Sequence, residues 1–161
     1  MIETISEHFG NLTISRGKKH QFLGMDKEFS ADGKSSLFMK DYIEKLIDLF
    51  REEIITKVPS PAKKGPQNIY ESSTRLYKKD TDIFHSISLK LLRVAKMDMP
   101  NIDPDISFLC TRVTKNTKKD KAKLRQVFQY LKHTIDDKRI MGADSQSQLC
   151  TCVDATYGVH P

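Results

Sequence analysis

The sequence predicts an α+β fold, with an N-terminal β-hairpin and helix in front, a helical middle and a strand at the end. Three observations lead there. A strand–turn–strand pattern around Asp32-Gly33 is followed by apolar residues at helical spacing from Ile43 onward. Helical spacing returns between Ile83 and Leu131. The run QLCTCVDATYGV, rich in β-branched and aromatic residues, then reads as a C-terminal strand.

Residues 1–16 are mixed and weakly patterned. The run HQFLGMDKEF, from His20 to Phe29, suits one strand, Asp32-Gly33 supplies a turn, and SSLFMK returns as a second strand. Ile43, Leu46, Ile47, Phe50 and Ile54 then recur at spacings of three and four, the apolar stripe of a helix from about Asp41 to Ile55. From Lys57 to Asp80 the pattern dissolves, because VPSPAKKGPQ holds three prolines and a glycine. Asp80, Thr81 and Asp82 are N-cap candidates for a helix reaching about Lys96. On it Ile83, Phe84, Ile87, Leu91, Val94 and Ala95 fall within an arc of about 120°. Pro100 and Pro104 break the chain, and a short helix from about Asp105 to Val113 buries Ile106, Leu109 and Cys110. Thr117 caps a third helix to about His133, with Leu124, Val127, Phe128 and Leu131 as its apolar seam. Gly142 interrupts the chain beyond this helix. These features divide the chain into a front (1–56), a linker (57–80), a helical piece (81–136) and a terminal piece (137–161).

At 161 residues the chain holds one ordinary domain, or two small pieces sharing a core. An apolar fraction of 38% against 30% charged residues predicts a thin core, or packing against other sequence. No apolar run of membrane-spanning length occurs, and MIETISEHFG has neither the basic start nor the apolar core of a secretory signal. Three cysteines form no disulfide framework and fit a reducing compartment, so an intracellular protein, cytoplasmic or nuclear, is expected. The sequence pI is about 9.2, but the clustering of charge is more telling. From Arg112 to Arg139 there are ten Lys or Arg against three Asp, a balance of +7, whereas the whole chain is +6. An acidic polymer should meet this segment first.

On a helical wheel Lys118, Lys121, Arg125 and Lys132 lie within about 60° of one another, beside the apolar seam. Such a row can track phosphates, and only Asp120 interrupts it. The plainer alternative is a solvated helix face. Tyr130 and His133 are expected elsewhere on the surface of this helix.

Several runs, in this order, resemble the C-terminal part of the reverse transcriptase of copia-type retrotransposons, entering its ribonuclease H region. HFGNLTISRGKKHQFLGMDKEF (8–29) and DGKSSLFMKDYIE (32–44) are similar to the segment after the polymerase active site, and VPSPAKK (58–64) to a proline-bearing spacer. FHSISLKLLRVAK, DPDISFLCTRV and LRQVFQYLKHTID are similar to the family's thumb-like helices and the helix after them, and VDATYGVHP to the opening strand of ribonuclease H. The resemblance implies a primer-grip-like hairpin around Phe22, Leu23 and Gly24 at the end of the palm in 1–56. It implies thumb and connection helices in 81–136 that grip a template–primer duplex by its backbone, and the start of a ribonuclease H-like fold in 137–161. The palm and fingers are expected before Met1 and the rest of ribonuclease H after Pro161. A departure from the family pattern is Asp103, where Arg is usual.

Polymerisation needs clustered carboxylates that hold two metal ions. The family's Tyr-x-Asp-Asp motif does not occur in this sequence, and Asp136-Asp137 reads as a helix-end pair. Asp154 matches the first metal-binding carboxylate of a ribonuclease H site, but one carboxylate cannot clamp two metals. This chain alone is therefore expected not to be an enzyme and to carry no cofactor. The intact parent is implied to be an RNA-directed DNA polymerase with ribonuclease H, using Mg2+. Cys150, Cys152 and His160 superficially suggest a metal site, but alternate strand residues share a face and zinc usually takes four ligands, so the thiols are expected to pack. His85 matches a family position yet reads as a helix-surface residue. Three functions stay open: a retroelement polyprotein fragment binding template–primer, a non-enzymatic basic nucleic-acid-binding module, and a helical protein-interaction fragment.

Overall fold

A computed structural model describes residues 2–11, 13–63, 67–70 and 72–142. The chain is α+β. A helix, α1 (Ile2–Phe9), precedes strands β1 (Lys19–Phe22), β2 (Met25–Phe29) and β3 (Ser35–Phe38). Then come α2 (Lys40–Phe50), α3 (Lys78–Met97), a 3-10 turn (Pro100–Ile102), α4 (Asp103–Thr111), α5 (Lys118–His133) and β4 (Arg139–Met141). The strands form one antiparallel sheet in the order β1-β2-β3-β4. No helix among the described residues is long and apolar enough to cross a membrane.

The strand expected over His20–Phe29 is two strands. Phe22 faces Met25 in register, so Leu23 and Gly24 form a two-residue turn. The Asp32-Gly33 turn joins β2 to β3 as expected, with Ser30 and Lys34 closing it through the Ser30 N–H to Lys34 carbonyl bond of 2.9 Å. The weakly patterned N-terminus contains α1, whose Phe9 is exposed.

Helix α2 stops earlier than its apolar spacing implies. Arg51 takes a left-handed backbone (φ 56) and its N–H returns to the Asp48 carbonyl, which ends the helix after Phe50. Ile54 still reaches the core, carried there by irregular backbone. Helix α3 begins at Lys78, ahead of the expected Asp80–Asp82 caps, and its N-cap Tyr77 makes no side-chain cap bond. Pro100 and Pro104 sit in the first turns of their helices, where a missing N–H costs nothing. Helix α5 opens as expected at Thr117, with a full capping box. The Thr117 N–H donates to Asp120 Oδ2 at 2.9 Å, and the Asp120 N–H donates to Thr117 Oγ1 at 3.4 Å.

One core joins front and middle. Met39, Ile43, Leu46 and Phe50 of the front lie in the same buried cluster as Phe84, Ile87, Leu91, Ile106, Leu124 and Phe128. The Phe50 and Phe128 rings pack at 4.7 Å between centroids. The buried Asp98, just past α3, accepts the Met39 N–H at 2.9 Å and so caps α2 from the helical side.

Strand β4 lies within the piece expected from residue 137 on. Arg139, Ile140 and Met141 pair with Leu37, Ser36 and Ser35, so this part of the terminal piece completes the front sheet. The C-terminal strand expected in 148–159, with Cys150, Cys152, Asp154 and His160, lies outside the described residues.

Candidate nucleic-acid interface

The β1–β2 turn needs positive φ at both central positions, as type I′ turns do. Gly24 adopts φ 78 without cost, but Leu23 adopts φ 50, which costs a side-chain-bearing residue about 1–2 kcal/mol. Phe22 is 68% and Leu23 63% exposed, so burial does not offset that strain. The tip is nevertheless locked in place. The Arg93 guanidinium on α3 donates to the Leu23 carbonyl at 2.6 Å and lies over the Tyr42 ring of α2. A Cβ on Gly24 would stand 3.0 Å from Tyr42 Cδ2, so glycine also permits this close approach. Phe22 and Gly24 thus flank Leu23 at this turn.

The basic row of α5 is largely engaged within the chain. Lys121 pairs with Glu52 at 3.0 Å and with Asp80 at 3.3 Å. Arg125 grips the same Glu52 through Nε at 2.7 Å and through a second nitrogen. Burial favours a neutral Glu52, but the hydrogen bonds from Arg125 and Lys121 outweigh it and hold the carboxyl below its ordinary range. Lys132 donates to the Ile54 carbonyl at 2.6 Å. Among the four, Lys118 is exposed and forms no ion pair with any described residue. Gln126 and Lys123 extend the same duty, donating to the carbonyls of Ser60 at 3.0 Å and Asn68 at 2.6 Å. Helix α5 therefore fastens the irregular segment after α2 along its own length. Tyr130, expected at the surface, is buried with its hydroxyl against Asn101.

A second concentration of charge lies where α3 and α5 begin. Arg75 bridges to Thr117, the Leu76 N–H donates to the Asn116 carbonyl at 3.3 Å, and the Lys118 N–H donates to the Thr74 carbonyl at 2.9 Å. Thr81 Oγ1 adds a bond to the Asn116 side chain at 3.0 Å. These contacts bring Arg75, Lys78, Lys79, Lys115, Lys118 and Lys119, all exposed, to one corner. Of the acids there, Asp120 is buried in the cap beside Arg112, Asp80 pairs with Lys121, and Asp82 is exposed one turn into α3. Lysines opening a helix oppose its dipole, at about 0.3–1 kcal/mol each. Two Lys-Lys pairs, each opening a helix, are the signal of this corner in the sequence. Apolar spacing and the Asp80–Asp82 caps hide it, because they put the start of α3 after Lys79.

Asp154 lies outside the described residues, as do Cys150, Cys152 and His160. No cluster of three or more His, Cys, Asp or Glu suited to a metal occurs among the described residues. His85 is exposed on α3. Asp103 pairs with Lys96 at 2.6 Å. The chain matches no family model, no curated protein and no solved structure.

Proposed function

We propose that this chain is part of a copia-type retrotransposon polyprotein, the end of a reverse transcriptase running toward ribonuclease H, and that it holds a template–primer duplex. The hairpin tip meets the primer strand, and the α3–α5 corner neutralises backbone phosphates. Polymerisation and its Mg2+ belong to carboxylates elsewhere in the parent protein, because the Tyr-x-Asp-Asp motif is not in this sequence.

The observation that carries this role is the tip itself. An exposed leucine in left-handed backbone, where Asn or Gly would be relaxed, is pinned to α3 by Arg93. The side chain is kept at a cost to stability, which fits a contact outside the chain. The ordered resemblance of the sequence blocks names the contact as a primer, and the exposed cations of the corner supply the charge that a duplex requires.

Leu23→Gly tests the role. Relief of the strained backbone offsets the added freedom of glycine in the unfolded chain, so stability stays level or rises by up to about 1 kcal/mol. Binding of an RNA–DNA duplex with a recessed primer end, measured by fluorescence anisotropy, should weaken at the same time. Unchanged affinity in a folded Leu23→Gly protein would remove the tip from the interface.

A further inference from the structure

A cleft of about 180 Å3 opens between α4, α5 and the segment before α3. This is below the ~300 Å3 at which ordinary small-molecule pockets begin, so it suits one ring system rather than an extended ligand. Leu109 and Phe108 give it an apolar floor, and Tyr70, 44% exposed, stands at its side. Lys123 Nζ lies 4.4 Å from the Phe108 ring centre and 5.6 Å from that of Tyr70, and Lys119 Nζ lies 5.8 Å from Tyr70. No carboxylate of the described residues forms an ion pair with Lys119 or Lys123. Asp105, also in the cleft, is the acid among its lining residues.

We propose that this cleft binds a single nucleotide unit, its base against Tyr70 and the apolar floor and its phosphate on Lys119 and Lys123. Aromatic rings flanked by cations hold bases through stacking and phosphates through charge, without needing a particular sequence. Asp105 adds a hydrogen-bond acceptor for an exocyclic amino group, so the bases that carry one (adenine, cytosine and guanine) are preferred over thymine and uracil. Lys119 belongs both to this cleft and to the cationic corner, so a strand following the corner can turn an unpaired base into the cleft. The same chemistry admits a free mononucleotide.

The test uses the full chain and 2-aminopurine, an adenine isomer whose fluorescence falls on stacking. One arm places it in a short single-stranded overhang on a duplex, and the other supplies it as the free deoxynucleoside monophosphate. Quenching is expected in at least one arm, and which arm responds identifies the source. Tyr70→Ala should abolish it, Tyr70→Phe should retain it, and Lys123→Gln should weaken binding roughly tenfold. Competition by dAMP and dCMP should exceed that by dTMP in the arm that responds. The cleft does not depend on the hairpin role, so Leu23→Gly should leave the quenching intact. The proposal is overturned if neither arm shows quenching, or if Tyr70→Ala and Lys123→Gln quench like the parent chain.

Discussion

Asp98 joins the two halves of the fold through one hydrogen bond. Asp98 is 4% exposed, and the N–H its carboxylate accepts belongs to the fully buried Met39. Burial pushes its pKa up to about 6, aided by the nearby Asp137, while the Met39 N–H and Arg139 act in the opposite direction. A carboxyl with a raised folded pKa binds its proton more tightly in the folded state. Its contribution to stability is therefore fullest below about pH 4 and falls as pH rises toward 6, by about 3 kcal/mol at most. Asp98→Asn keeps an acceptor for Met39 and removes the titration. Urea unfolding from pH 4 to pH 7 should show the variant lacking this decline. Parallel profiles for the two proteins would mean that Asp98 ionises normally.

Leu23 and Gly24 show how residue detail escapes a sequence pattern. HQFLGMDKEF has aromatic and aliphatic residues suited to one strand, and the Leu-Gly dipeptide is not among the usual hairpin turn pairs. Arg93, distant in sequence, holds the Leu23 carbonyl in this turn. Apolar spacing could not register a polar lock of that kind.

At the scale of elements, α5 is the most legible. Its cap, extent and seam are all readable in the sequence, because local chemistry fixes each: Thr117 and Asp120 form the box, and Leu124, Val127, Phe128 and Leu131 are buried. Thr117→Ala should lower unfolding stability by about 1–2 kcal/mol, seen as a reduced urea midpoint. An unchanged midpoint would make the box incidental.

The charge on α5 is less legible, because a wheel shows where lysines point and not which acids come to meet them. Glu52, 73 residues from Arg125 in sequence, joins both Arg125 and Lys121. Glu52→Gln should therefore release positive charge. Duplex affinity at low salt should rise, roughly threefold to tenfold, with the gain shrinking as salt is added. A loss of affinity would place Glu52 in some other role. The start of α3 escapes the sequence for a related reason: Tyr77 is a poor capping residue, and the backbone pairing near Thr117 sets where that helix begins.

At the scale of the molecule, the front and the helical piece share one core, and the terminal piece adds a strand to the front sheet. Phe50 packs on Phe128, β4 extends the front sheet, and α5 holds the segment between α2 and α3 by its carbonyls. The thin core expected from composition is a continuous one, reached because residues from Met39 to Leu131 share it. Long-range pairing of this sort leaves no local periodicity. The mixed α+β class is legible in the sequence, and the order of its strands is not.

Joined in this way, the hairpin tip and the cationic corner are fixed parts of one body, and the central claim is that this body grips a duplex by its phosphates. The direct measurement is anisotropy titration of an RNA–DNA duplex between about 50 and 200 mM salt, the range over which phosphate contacts are strongly screened. The full chain is compared with Lys78→Glu, Lys79→Glu and Lys118→Glu combined. For the parent, log Kobs should fall linearly with log salt. The triple variant should bind at least about tenfold more weakly at low salt, with a slope shallower by about three. Equal slopes and affinities, or binding by the parent that ignores salt, would contradict the claim.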